Sequence, residues 1–497
     1  MRWALWRPWV RPAVSAPCRP VGLTMCWWSI SRSTMPCVRS NPVFPRLHPS
    51  VMPRLRDLAP FRVLRRATVS ATAAAAAVLI GFGLLPLGPG SVASAQDRGV
   101  SLGIQYREGA KTSIIVLPIA GANGDTLTRM LSRDLDYSDR FTVVGSSSAP
   151  ATTGTPNYAL FTRLGVDGIV QASVLPSGWL RVALHDVGLK KVRNSKDFPL
   201  PSPAQTRDWR MAVHGVSDGI EEWVTGQRGI AQSRIAFERG GRVWVVDSDG
   251  ANATAVTPNG MSPQWLPSGR GLVYAVLDGS RNPIMFKDLV SGAQRTLVSE
   301  NGVEHTTPAV SPDGRTLVYA RGTAVGTDLY AQPIDGGSAR RVTVGRGRAS
   351  AQPSFSPDGQ RVAFMSDRSG HPEVYISDLD GTNAELLTAA AFGDRDYRAA
   401  PDWSPDGRQV AFQSRNGGTF QIMIINLRDQ AVRSVTNDGR NDDPSWAPDS
   451  RHLVLTSTRS GIRQLWVVDA ETGRARQLTF GAQEARLSAW SPRLLGQ

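Results

Sequence analysis

The 497 residues carry a formal charge of +14, from 56 basic and 42 acidic side chains, and three cysteines; a chain of this length has room for two or three domains. The charge is unevenly placed: residues 1–95 hold twelve arginines against one acid, Asp57, while residues 96–497 are nearly balanced at +3, which removes the main support for a nucleic-acid partner. Cys18, Cys26 and Cys37 all lie in the basic leader, so the rest of the chain offers no disulfide, zinc cluster or thiol nucleophile.

Residues 1–51 are crowded with Trp, Arg, Pro and Cys and have no period. They are read as upstream sequence preceding a true start at Met52. Residues 52–95 are read as a signal peptide: "RVLRR" is its basic region, "ATAAAAAVLIGFGLLPLG" its apolar region, and "ASA" places cleavage between Ala95 and Gln96. The Gly and Pro residues in the apolar run argue against a spanning helix. Arg65-Arg66 leaves Sec and Tat export both open, and the absence of cysteine at the cleavage point argues against a lipoprotein. The export signal predicts a periplasmic protein.

Residues 96–110 form an N-terminal arm in which Val100, Leu102, Ile104 and Tyr106 alternate with polar or small residues. That pattern fits an edge strand or a free arm. Residues 111–228 do not repeat. "TSIIVLPIA" (112–120) reads as a buried strand, and Leu127, Met130, Leu131 and Leu135 fall at helical spacing within 125–138. Strands are predicted at 140–145, 166–175, 180–187 and 192–198, with a short helix at 158–165 and a closing helix from about 206 to 225. The order gives a small mixed α/β domain.

From residue 229 onward the sequence repeats. "PQWLPSGRGLVYA" begins at Pro263, "PAVSPDGRTLVYA" at Pro308, "PSFSPDGQRVAFMS" at Pro353, "PDWSPDGRQVAFQS" at Pro401 and "PSWAPDSRHLVLTS" at Pro444; a truncated "SAWSP" begins at Ser488. The spacing, 43 to 48 residues, is that of a repeat architecture. Each repeat offers four short strands separated by turn chemistry, the make-up of a β-propeller blade. Trp265, Phe355, Trp403, Trp446 and Trp490 recur two residues after the anchor, which predicts packing between blades. Asp313, Asp358 and Asp406 read as turn residues of "SPDG" rather than catalytic carboxylates. The last anchor has no strands after it, and 234–257 supplies three strands without a first. These predict a six-bladed propeller over 229–497 that closes by sharing one blade between its N- and C-terminal strands, leaving no open edge.

The "P-x-W-S-P-D-G" repeats, "IIVLPIA", "VDGIVQASV" and the junction "RMAVHGVSDGIEEWVTGQRGIAQSRIAF" (210–237) together resemble the TolB family, the periplasmic propeller component of the Tol-Pal system. The resemblance covers essentially all of 96–497. It implies a non-catalytic protein that binds the lipoprotein Pal through the propeller and the inner-membrane protein TolA through the N-terminal region. That role supports outer-membrane integrity and envelope constriction during division. A monomer without cofactor, metal or nucleic acid is expected.

In a blade, the segments leading into the first strand share a face with the loops between second and third strands. The leading segments "EHTTP" (304–308), "RASAQP" (348–353), "DYRAAP" (396–401) and "NDDP" (441–444) converge on the mouth of the central channel. They nominate His305, Thr306, Thr307, Ser350, Gln352, Arg398, Asp442 and Asp443 as partner-binding residues. His305 lies one residue short of the position where the family has a histidine.

The rival readings are a secreted propeller for another peptide or a glycan, and an accessory domain of a peptidase. Prolyl-peptidase-like enzymes append a hydrolase domain to such a propeller, whereas this sequence stops five residues after Pro492 and contains no G-x-S-x-G or H-E-x-x-H. The six histidines, His48, His185, His214, His305, His371 and His452, are scattered without ligand spacing. His214 reads as a packed residue of the closing helix.

Overall fold

The computed structural model describes residues 103–494, apart from 108, 146–153, 280, 346–347, 389–396 and 417. The cleavage site at Ala95 and Gln96, and Val100 and Leu102 of the arm, lie outside the described residues.

The first part is a five-stranded sheet with three helices. In chain order these are β1 (Thr112–Val116), α1 (Gly124–Tyr137), β2 (Phe141–Val144), α2 (Tyr158–Arg163), β3 (Gly168–Val174), β4 (Leu180–Asp186), β5 (Lys191–Phe198) and α3 (Arg207–Thr225). The sheet order is β2-β1-β3-β4-β5, with β1 parallel to both neighbours and the rest antiparallel. Alternation along β1 sends Ile114 and Val116 to one face, where α1 and α3 pack through Leu127, Leu131, Val213, Val216 and Ile220. Ile115 goes to the other face, against Phe161 of α2. Thr206 caps α3 by accepting the Trp209 N–H, and Gly226 ends it in a left-handed conformation.

The arm is not a strand over 103–106; only an isolated bridge joins Arg107 to Ala110. It is nonetheless tied down. The Ile104 N–H donates to Asp186 Oδ2 at 2.7 Å, its carbonyl accepts from Arg193 Nη1 at 2.7 Å, and the Tyr106 hydroxyl accepts from Arg140 Nη1 at 2.9 Å.

Six four-stranded sheets follow. Blade 1 joins Arg234–Arg239, Arg242–Asp247 and Thr254–Ala255 to Arg486–Trp490, which pairs antiparallel with the first of these. Blades 2 to 6 begin at Met261, Glu304, Ser350, Arg398 and Asn441. Blade 2 ends at Val298, blade 3 at Arg341, blade 4 at Leu386, blade 5 at Ser434 and blade 6 at Gln477.

The "SPDG" turns show why the motif recurs. In blade 3 the Ser311 hydroxyl donates to Asp313 Oδ1 and accepts the Thr316 N–H, while Asp313 accepts the Arg315 N–H. Blades 4 and 5 repeat the pattern with Ser356–Asp358 and Ser404–Asp406. The glycine is left-handed in each, with φ between 71° and 76° at Gly314, Gly359 and Gly407. The aromatics sit between blades. Trp403 packs with Val374 of blade 4 and Val410 of blade 5, and Trp446 packs with Ile424 of blade 5 and Leu453 of blade 6.

Candidate functional site

The innermost strands of the blades are bulged at one equivalent place. In blade 3 the pairing skips from Thr306 to Ala309, in blade 4 from Ala351 to Ser354, in blade 5 from Ala399 to Asp402 and in blade 6 from Asp442 to Ser445. The anchor proline lies in each gap, where its missing N–H costs the ladder nothing. The residue before it is left-handed: Ser262 (φ 48°), Thr307 (43°), Gln352 (57°), Ala400 (49°) and Asp443 (52°), with Leu487 (53°) before Ser488 completing the circle. These six line a central channel of about 250 Å³. A left-handed non-glycine residue costs about 1–3 kcal/mol and persists only where its surroundings hold it.

Side chains supply part of that hold. The Gln352 N–H donates to Thr307 Oγ1 at 3.1 Å, and the Ala400 N–H donates to Gln352 Oε1 at 3.0 Å. Ala400 has no side-chain acceptor to pass on, so the Asp443 N–H turns to Gln413 Oε1 at 3.0 Å. A second tier lies just past the prolines. The Trp403 N–H donates to Ser354 Oγ at 3.0 Å, the Trp446 N–H to Asp402 Oδ2 at 2.7 Å, and the Trp490 N–H to Ser445 Oγ at 3.1 Å. Each bond of this tier crosses from one blade to the next. Burial pushes the Asp402 carboxyl up to about 7 against these hydrogen bonds. Burial, reinforced by neighbouring Asp442, pushes Asp443 up to about 7 as well.

Of the residues nominated from sequence, Thr307, Gln352 and Asp443 line the channel. The others are placed differently. His305 is 1% exposed, with Nδ1 3.2 Å from the Asn282 carbonyl and its ring edge-on to Tyr319. Ser350 is fully buried against Ser366. Thr306 pairs with Ala320 in the ladder. Arg398 turns to Glu373 at 3.2 Å, and Asp442 to Arg440 at 2.7 Å. The reason is that 304–308, 350–353, 398–401 and 441–444 are already first-strand residues. The bulge interrupts the alternation that would have shown them as such. Asp402, Ser354, Ser445 and Leu487 were missed, although their fixed offset from the anchor was available as a signal.

The opposite ends of the strands carry a second polar constellation, where α1 and α3 meet the turns of blades 1 and 6. His452 occupies the turn-following position of blade 6; its Nδ1 lies 2.7 Å from Asp449 Oδ2 and its Nε2 3.3 Å from Asp139 Oδ2. His214 of α3 makes the mirror arrangement, with Nδ1 2.7 Å from Asp134 of α1 and Nε2 3.6 Å from Asp249 of the blade 1 turn. Arg140 joins Glu221 of α3 at 2.8 Å and approaches Asp449 at 3.9 Å. Despite burial, the Asp449 and Asp139 carboxylates raise His452 to about 9. Against its own burial, Asp139 is held down to about 2 by His452 and Arg474. Burial raises Glu221 to about 8.

A family model described as the TolB beta propeller domain matches residues 221–398 and 393–494. The Tol-Pal system protein TolB of Haemophilus influenzae is 29% identical over 206 residues, covering 38% of this chain and 48% of that protein. The Tol-Pal system protein TolB of Methylococcus capsulatus is 30% identical over 237 residues, 44% of this chain and 54% of its own. The chain thus spans about half the length of the curated relatives it matches. The crystal structure of TolB from Acinetobacter baumannii superposes with a TM-score of 0.69 at 22% identity, over 79% of this chain and 99% of that one. At that identity the likeness speaks for the fold.

Proposed function

Because this chain belongs to the TolB β-propeller family, we propose that it is a periplasmic, non-catalytic binding component of the Tol-Pal envelope system. In this reading the channel-mouth face of the propeller binds a Pal-like lipoprotein. The N-terminal region, with Ile104 and Tyr106 in its arm, contacts a TolA-like inner-membrane protein. The assembly serves outer-membrane integrity and constriction at division.

The observation that carries the reading is the ring of six left-handed residues around the channel. Strain held at one equivalent position in every blade is the mark of a preorganised site. A rigid rim of varied side chains (Ser262, Thr307, Gln352, Ala400, Asp443 and Leu487) suits recognition of one folded partner.

Calorimetric titration of the purified protein with the soluble domain of the same organism's Pal tests it. Saturable one-to-one binding that weakens at least tenfold in a Gln352→Ala, Asp443→Ala double variant is the expected result. Absence of binding by the folded protein would remove Pal as the partner. Deleting 96–107 should weaken TolA contact and leave the propeller folded; loss of the propeller's cooperative melting would refute that division of labour.

A further inference from the structure

Every blade carries an arginine in its second strand or in the loop that leads from it to the third: Arg239, Arg281, Arg321, Arg368, Arg415 and Arg459. Second strands run toward the channel-mouth face, so these arginines form a crown around it. Four are backed by aromatic rings. Arg239 lies over Phe237 and Trp244, Arg321 over Tyr330, Arg368 over Phe364 and Tyr375, and Arg459 over Trp466, at 4.8 to 5.6 Å from the ring centroids.

Arg321 is neutralised by Glu300 at 2.7 Å. Arg239, Arg368 and Arg459 have no ion pair among the described residues. Arg368 donates to Ser366 Oγ at 3.1 Å and Arg459 to Asn441 Oδ1 at 3.4 Å. Nitrogens on all three are shielded from solvent without an acceptor among the described residues: Nε and Nη2 of Arg239, Nη2 of Arg368 and Nε of Arg459. Those shielded nitrogens are out of a partner's reach, but the charge of each guanidinium is left unneutralised, and its remaining open nitrogen can make a charge-assisted bond to a carboxylate.

We infer that Arg239, Arg368 and Arg459 dock discrete carboxylates of an acidic protein segment on the channel-mouth face. This rests on the reading of that face as a protein-binding surface and names the chemistry of its partner. The same face also displays carboxylates, in the pairs Glu300–Arg321 and Glu484–Arg463. Interspersed signs oppose a continuous anionic sheet such as a membrane and fit a protein that alternates charge in register.

The test uses the full chain and its Arg239→Gln, Arg368→Gln, Arg459→Gln triple variant. Arg295→Gln serves as control; Arg295 also lies over a ring, that of Phe286, but pairs with Asp335 at the other end of the strands. The probes are a labelled glutamate-rich peptide, a lysine-rich peptide of equal length, the Pal soluble domain and phosphatidylglycerol vesicles. Expected are preference for the glutamate peptide, at least tenfold weaker binding of that peptide and of the Pal domain by the triple variant, and a shallower salt dependence. If the triple variant does not melt like the parent, the three single variants replace it. Equal binding of the glutamate peptide and the Pal domain by parent and triple variant would overturn the crown while leaving Pal recognition standing. Arginine-dependent binding of the glutamate peptide without any binding of Pal would keep the crown and sink the Pal reading. Tighter, arginine-dependent binding to the vesicles would overturn the assignment to a protein.

Discussion

His452 of the propeller places its Nε2 3.3 Å from Asp139 Oδ2 of the α/β domain, both side chains nearly sealed from solvent. His214 reaches the other way, toward Asp249 of the propeller. Two imidazoles, one from each side, thus sit between carboxylates along one seam.

The seam should weaken in alkali. His452, raised from 6.5 to about 9, contributes stability that is full below pH 6.5 and lost as pH rises through 9. Glu221, raised from 4.5 to about 8 by burial, also favours the folded state less as pH rises through 8. Asp139, held down to about 2, contributes above pH 3.8 and is lost only as pH falls through 2. The melting temperature should therefore fall between pH 6.5 and 9, with about 3 kcal/mol at stake at His452. Melting curves of His452→Gln should start lower and vary less with pH. An unchanged pH slope in that variant would sink the assignment.

The inner ring offers a pair of opposite effects. Gln352→Ala strands the Ala400 N–H, which donates to its side chain, at an expected cost of about 1–3 kcal/mol. Ala400→Gly relieves a left-handed residue at φ 49° and should be neutral or stabilising by up to about 1 kcal/mol. Urea denaturation of both variants decides the matter; destabilisation by the glycine would mean that the ring is not strained there.

Asp402 predicts a pH-dependent sign. Its carboxyl, lifted by burial from 3.8 to about 7, contributes most below pH 3.8, and the contribution is lost as pH rises through 7. Asp402→Asn should then cost stability at pH 5 through its poorer hydrogen bonds, and cost less, or gain, at pH 8. Denaturation midpoints at the two pH values are the readout, and equal losses at both would refute a raised pKa.

Trp490 joins the end of the chain to its blade 1 partners. Its indole donates to Ser233 Oγ at 2.8 Å, and its ring packs with Ile235 and Val467. Trp490→Ala should cost about 3–5 kcal/mol. A loss below about 1 kcal/mol, measured by denaturant titration, would show that the joint between blades 6 and 1 does not depend on it.

The repeat determined much of this molecule. Anchors at 43 to 48 residues, a turn motif whose Ser and Asp satisfy backbone donors locally, and an aromatic at a fixed offset define blades because each interaction lies within one repeat or between neighbours. The helical spacing of Leu127, Met130, Leu131 and Leu135 was legible for the same reason: all four are buried on one face of α1. What only the tertiary structure decided involves residues far apart in the chain, or strands whose pattern is broken. The bulge breaks strand alternation, so His305 and Ser350 read as loop residues although they are strand residues buried within their blades. The pairing of His452 with Asp139, 313 residues away, has no local pattern at all. Charge complementarity across a seam depends on how two surfaces meet, and no periodicity within either surface records it.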